Sequence, residues 1–366
     1  MPVEEITLKV AGKNYTGWKA ITVRRSVEAL ASSFSVDVVA FRETPPEILT
    51  GYSVEVFAGK DRLLTGYVDE IDPEVDGDAR SISIAGRGRT ADLVDCSATN
   101  KPIKWAGNIK ISKVIKDLIT PFGIGLATES DKADETTKDF TLTTGESPAD
   151  AIQRLCAKKA ILPLETPAGN LYLTNLGNLH SVDALVYGKN VMSASAKISN
   201  AERFYKYIVR GEGGGGGNGW VVGPVSEIEG SAIDSEITRT TRVKIFKDDD
   251  STTAKTMKTR AAWEAQVRRG KGIELTVTIF GWRQSDGTLW RENLLVPIDI
   301  PPVGISGADM LLTSVEYGQG ENGTTLRMTL KQADIYAPDP KPDAKKSTNN
   351  LGWGEGTLPV PGAAAQ

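Results

Sequence analysis

Cysteine and histidine are nearly absent from this chain: Cys96, Cys156 and the single His180 are all it has in 366 residues. A zinc site draws about four ligands, mostly from these two residue types, so the inventory nearly excludes a conventional zinc centre. It also removes the commonest general base from most of the chain. A dominant charge is missing too, since 43 Lys and Arg stand against 47 Asp and Glu, for a net charge of −4. A nucleic-acid binder needs a basic excess or stripe, so sequence-specific nucleic acid binding is not expected. No run of eighteen apolar residues is present, which argues against a spanning helix or direct membrane insertion. The opening MPVEEITLKV carries acids where a secretory signal needs bases and a long apolar run. Folding in a cytoplasm, with both thiols free, is therefore expected.

What is present is strand pattern. Ile6, Leu8 and Val10 alternate with polar residues, as do Phe34, Val36 and Val38, while Val54 and Val56 precede the turn AGKD. The stretch SISIAGRGRTADLVDCSA begins as a half-buried strand and then changes period. Ile111, Val114, Ile115 and Leu118 fall on one helical face that PFG ends. In ESPADAIQRLCAKKA, Ser147 is an N-cap and Pro148 the first helical residue, with Ile152, Leu155, Cys156 and Ala160 as the stripe. ILPLETPAGNLYLTN reads as two strands about a turn, and RFYKYIVRG, IELTVTIFG, LLTSVEY and TTLRMTLKQADIY as further strands. STTAKTMKTRAAWEAQVRRG reads as a helix capped by Ser251 or Thr252 and closed by Gly270.

The fold expected is mainly β with α/β insertions. Residues 1–95 form a first β-unit, 96–178 a small α/β unit, and 179–335 a second β-unit with an inserted glycine-rich loop and helix at about 211–270. Residues 336–366 form a Pro/Gly-rich tail. A faint repeat supports two β-units: LLTGYVDEIDPEVDGDARSISIAG from Leu63 and LLTSVEYGQGENGTTLRMTLK from Leu311 share an LLT strand, a polar turn and an alternating strand.

Candidate chemistry is sparse. GRGRT at Gly86–Thr90 lacks both the spacing and the lysine of a phosphate loop. Its glycines are expected to let the chain turn out of the strand, with the arginines placed for nearby carboxylates. The consecutive glycines 213–217 describe a flexible loop and not a phosphate cradle. Asp248, Asp249 and Asp250 fit the dipole of the helix next in the chain. Carboxylate pairs ~5–10 Å apart would serve glycoside hydrolysis, yet none of the acids sits in a motif that singles it out. His180 has no GxSxG elbow to serve. No catalytic, cofactor or metal residue is assigned.

Three stretches in order, IAGRGRTADLVDCSA, GESPADAIQRLCAKKAILPLETPAGNLYLTN and GWRQSDGTLWRENLLVPIDIPPVGISGADMLLTSVEYGQGENGTTLRMTL, resemble the baseplate hub proteins of contractile-tailed phages, the Mu-like hub in particular. The resemblance covers most of residues 1–335. It implies two tube-like antiparallel β-barrels with smaller α+β domains, a homotrimer, and a location in the virion tail baseplate after assembly in the host cytoplasm. The implied function is a non-enzymatic ring of pseudo-six-fold symmetry that joins the tail tube to the membrane-piercing spike and leaves a channel for DNA. The implied partners are the spike, tube and other baseplate proteins. Gly86 to Cys96 would then be the exit from the first barrel. Gly86 and Gly88 make the turn, Leu93 and Val94 anchor the next segment of chain, and Arg87, Arg89, Asp92 and Asp95 form ion pairs within or between subunits. The tail from Ala337 lies outside the resemblance, and Trp353 is its candidate anchor to the spike or a neighbouring baseplate protein. A hub-like part of a contractile injection or secretion apparatus, and a carbohydrate-active wall enzyme, are the alternative readings.

Overall fold

The computed structural model describes residues 5–39, 48–76, 79–101, 103–157, 159–213, 226–248, 253–321, 323–338 and 340. Glycines 214–217, Asp249, Asp250, Ser251, Thr252 and Trp353 lie outside them. The N-terminal alternation produces β1 (Ile6–Val10), the short β2 (Lys13–Tyr15), β3 (Ala20–Ser26), β4 (Ala29–Val39), β5 (Ser53–Ala58), β6 (Asp61–Asp76) and β7 (Ala79–Gly88). Ile6, Leu8, Val36, Val54 and Ile84 all point inward and are fully buried.

The period then changes, giving α1 (Ala91–Asp95), β8 (Lys104–Lys110), α2 (Ile111–Ile119), β9 (Leu126–Thr128), β10 (Thr136–Thr141), α3 (Pro148–Ala157), β11 (Ile161–Glu165) and β12 (Leu171–Asn175). α2 buries the predicted stripe. At the start of α3 the Ser147 hydroxyl accepts the Asp150 N–H at 3.1 Å, which satisfies one of the first-turn donors. Ile152, Leu155 and Cys156 pack inward, whereas Ala160 falls beyond the helix at φ 53°. Leu93, the residues of α2 and α3, and Leu171 and Leu173 share one apolar cluster.

The chain continues through β13 (Leu179–His180), β14 (Leu185–Val186), β15 (Ser193–Ile198), β16 (Lys206–Gly213), β17 (Ser226–Ile233), β18 (Val243–Lys247), α4 (Ala254–Lys271), β19 (Ile273–Phe280), β20 (Leu294–Ile300), β21 (Ile305–Gly320) and β22 (Gly323–Lys331). The cap of α4 differs from expectation: Thr253 forms a reciprocal capping box with Thr256. Gly270 lies inside the helix, where a Cβ would come within 2.5 Å of Ile335. Asp248 is buried and precedes the cap by five residues, so it is not part of the first turn, which holds no acid.

One large sheet runs β15-β19-β22-β21-β3-β4-β7-β6-β5-β1-β2, with β20 on β21 and β13 and β14 on β20. The two β-units expected lie in one continuous sheet in which β3 pairs antiparallel with β21, and no pairing among the described residues closes either half into a barrel. The sheet nevertheless curls. The Ile6 N–H donates to the Gln319 side chain at 2.8 Å, and the Trp18 indole N–H donates to the Ile6 carbonyl at 3.3 Å. A single core takes residues from both halves, from Ile6 to Ile84 and from Leu185 to Leu330.

The internal repeat is larger than the sequence suggests. Strands β1, β3, β4, β5, β6 and β7 correspond in chain order and sheet order to β13/β14, β15, β19, β20, β21 and β22. Each long hairpin carries two bulges. Leu63 and Asp69 are left without a cross-strand partner in the first, and Gly307 and Thr313 in the second. Position 63 therefore matches 307 and 69 matches 313, and by the same step 311 matches Tyr67. The two LLT motifs thus lie four residues out of structural step.

Candidate functional site at the junction

Gly86 and Gly88 sit within β7 and do not turn the chain. They are required by close approach. A Cβ on Gly86 would lie 2.1 Å from the Tyr67 carbonyl, and one on Gly88 would lie 2.1 Å from the Glu165 carboxylate. Glu165 ends β11 and is buried. Its carboxylate accepts the Ser32 N–H at 2.9 Å, the Ser32 hydroxyl, and the Thr90 N–H at 3.1 Å. The Thr90 hydroxyl in turn donates to the Leu30 carbonyl at 3.1 Å. One carboxylate thus fastens the inserted α/β unit to β4 and to the exit of β7. Hydrogen bonds to a charged group are the strong ones.

Next to it lies Arg25 of β3, exposed by 7% and bonded to Glu292, also 7% exposed, at 2.8 Å. The guanidinium also donates to the Leu63 carbonyl at 2.9 Å and to the Glu165 carbonyl. Burial works against its charge, but Glu292 outweighs that and leaves the Arg25 pKa raised. The Tyr317 hydroxyl donates to the Trp290 carbonyl, and burial followed by Glu292 pushes its pKa up. Asn293, at φ 72°, accepts the Gly177 N–H at 2.7 Å and donates to the Asn175 carbonyl at 2.9 Å, tying the end of β12 to β20. Arg25 and Tyr317 floor a cleft of about 840 Å³ whose rim includes His180, Arg283, Arg291 and Glu129.

The charged residues predicted at the junction lie in an outer layer, half-buried or exposed. Arg87 pairs with Asp69 at 2.8 Å and with Asp95 at 2.6 Å. Arg89 instead donates to the Gly123 carbonyl at 3.0 Å. Asp92 is exposed in the first turn of α1 and makes no ion pair among the described residues. Leu93 is fully buried in the α/β cluster, but Val94 is 44% exposed and lies outside that cluster. Both thiols are free. Cys96 is exposed, while burial pushes the Cys156 thiol up to about 12. No cluster of three metal-ligating side chains occurs among the described residues, and no described helix is long and apolar enough to cross a membrane.

Sequence reasoning missed Arg25, Glu165 and Glu292. The available signal was a charged residue at the inward phase or end of an apolar strand, as in ILPLE. The acids of this interior are already engaged, Glu292 by a guanidinium and Glu165 by N–H and O–H donors. The arrangement therefore holds parts together and does not form a proton-sharing pair. Two equivalent six-strand units are thus locked together by a buried ion pair, with a third unit clamped on, which is the build of a scaffold.

The comparisons agree. Residues 5–88 match the description "Mu phage baseplate assembly protein GpP-like, N-terminal". Residues 90–175 match "Baseplate hub protein gp44-like, second domain", and residues 252–339 match "Mu phage baseplate assembly protein GpP, fourth domain". The baseplate hub protein gp44 of Escherichia phage Mu is 31% identical over 351 residues, covering 93% of this chain and 91% of the relative. The chain belongs to the Mu-like baseplate hub family. The 43 kDa tail protein of prophage MuSo2 from Shewanella oneidensis superposes with a TM-score of 0.80 at 30% identity, over 91% of this chain and 99% of that one. A tail protein from Neisseria meningitidis MC58 shares the fold with a TM-score of 0.74 at 20% identity, over 93% and 100%.

Proposed function

We propose that three copies of this hub protein form a ring of pseudo-six-fold symmetry that joins a tail tube to a central spike and leaves a channel for DNA. The observation that carries this reading is the six-strand repeat: two equivalent units per chain become six in a trimer. A closed ring of this kind needs head-to-tail interfaces. The curl of the first half, which brings Ile6 to Gln319, supports tube-like barrels that complete themselves in the assembly. The boundaries at 95, 178 and 335 separate the two repeats, the clamped α/β unit and the tail, and Arg87, Asp69 and Asp95 brace the first boundary. The protein acts mechanically in the baseplate, with no turnover, after assembly in the host cytoplasm, and its mildly acidic balance suits passage of DNA without adhesion.

Light scattering across a dilution series tests this. The expected mass of the chain alone is three times 39.3 kDa, and adding the spike protein raises it by the mass of the spike bound. A chain that stays monomeric even with the spike present overturns the ring.

A further inference from the structure

The repeat makes a specific demand on the joint between copies. Within one chain, β3 of the first repeat pairs with the second half of β21, from Ser314 to Gln319. That half shares one edge of β21 with β20, which takes Ile305 to Leu311. In the first repeat, β5 covers Asp61 to Tyr67 of β6. The rest of that edge, from Glu70 to Val75, has no strand on it among the described residues. The counterpart of β3 in the second repeat is β15, which among the described residues pairs only with β19 and has no strand on its other edge. The chain therefore carries one filled joint and the two unfilled halves of a second one.

Resting on the ring reading, we infer that β15 of one copy adds antiparallel to the open edge of β6 in the next, with Asp72 opposite Lys197. The register is fixed by correspondence. Ser193 pairs with Thr278 as Ala20 pairs with Asp37, so Ala194, Ala196, Lys197 and Ile198 stand for Ile21, Val23, Arg24 and Arg25. The hairpin step places Ile71, Asp72, Pro73 and Val75 for Val315, Glu316, Tyr317 and Gln319. The pairing of Arg24 with Glu316 then becomes Lys197 with Asp72.

The chemistry of the two edges agrees with this register. Ile71, Pro73 and Val75 alternate with Glu70, Asp72 and Glu74 along β6, while Ala194, Ala196 and Ile198 alternate with Ser195 and Lys197 along β15. In the inferred register apolar meets apolar and polar meets polar. A slip of one residue would reverse every contact. Val75 is 70% exposed and Ile198 60% exposed in the single chain, and the joint covers both. Neither Asp72 nor Lys197 makes an ion pair among the described residues. Pro73 has no N–H, so any strand added here forgoes one ladder bond, and the acids favour a strand that brings a cation.

The full chain carrying Cys96→Ser, Asp72→Cys and Lys197→Cys tests the joint by oxidation and non-reducing electrophoresis. Covalent dimer and trimer are expected, whereas Asp72→Cys with Ala196→Cys, which point to opposite faces, gives neither. In the otherwise native chain Lys197→Glu raises the concentration of half-dissociation by about tenfold, and adding Asp72→Lys restores it. A trimer that does not cross-link and ignores Lys197→Glu overturns this joint while the ring stands. Cross-linking equal to that of the Ala196 control overturns the register. A chain that stays monomeric with the spike present overturns both joint and ring.

Discussion

The two repeats place six strands in the same order but spend their connections differently. Between β3 and β4 the first repeat uses only Val27 and Glu28, whereas between β15 and β19 the second inserts β16, β17, β18 and α4. β1 pairs antiparallel with β5, while β13 and β14 pair parallel with β20. At the matched position on their joining strands, the first repeat has the buried Arg25 and the second the exposed Ile198. A joint made inside one chain forms with folding, so it can hold a charge that is desolvated once and stays paired. A joint made between chains must leave each chain soluble beforehand, which an isolated edge isoleucine and a lysine allow and an unpaired buried arginine would not.

The largest break in that comparison comes from the ion pair. Arg25→Met leaves the Glu292 carboxylate buried without its cation, and the Leu63 and Glu165 carbonyls without their donor. The expected loss is about 3–5 kcal/mol, read as a shift in the urea midpoint. Arg25→Met with Glu292→Leu should cost less than Arg25→Met alone, because no charge is then stranded. Ile198→Ala at the matched position should leave the stability of the single chain within about 0.5 kcal/mol. An Arg25→Met variant of unchanged stability would show that the interior is wet and the pair dispensable.

The next effect separates the repeats through the clamp. Gly86 and Gly88 match Leu330 and Gln332, so small residues are confined to the repeat that the inserted unit touches. Gly88→Ala drives a methyl into the Glu165 carboxylate and loosens its bonds to Ser32 and Thr90. A loss of about 1–3 kcal/mol is expected in the same unfolding measurement. Gln332→Ala, at the matched place in the second repeat, should stay within about 0.5 kcal/mol. Equal effects at both positions would remove the clamp as the reason for the glycine.

Alternation and helical phase are local properties, and the strands around Ile6, Phe34 and Val54 and the stripes of α2 and α3 were legible for that reason. The cap at Thr253 was missed by one or two residues because Ser251, Thr252 and Thr253 can all accept a backbone N–H, and only the helix axis chooses among them. The repeat was visible at its hairpins but out of step, since LLT recurs by strand chemistry while the bulges at Asp69 and Thr313 that set the step have no residue signature. Arg25, Glu165 and Glu292 stayed hidden because their pairing spans 267 residues in one case and 133 in another. Arg87 and Asp95, eight residues apart, could be paired by eye.

The smallest effect concerns the turn that the first repeat keeps short. Glu28 accepts from Lys331 at 2.7 Å and from the Tyr336 hydroxyl at 2.6 Å, so the β3–β4 turn is tied to the end of the second repeat. Burial alone would raise the Glu28 pKa, but Lys331 and then Tyr336 more than offset it and hold the carboxyl below its ordinary 4.5. A carboxyl with a lowered folded pKa adds stability that is present above the unfolded value and lost as pH falls through the folded one. Stability should therefore decline below about pH 4.5 through this group, and Glu28→Gln should flatten that part of the profile. With the side chain 45% exposed, solvent screens the pair, and a contribution under about 1 kcal/mol is expected near neutral pH. A Glu28→Gln profile parallel to the native one would mean that the turn is held by its backbone bond from Val27 to Thr313, so the repeats would be joined there by strand pairing without help from charge.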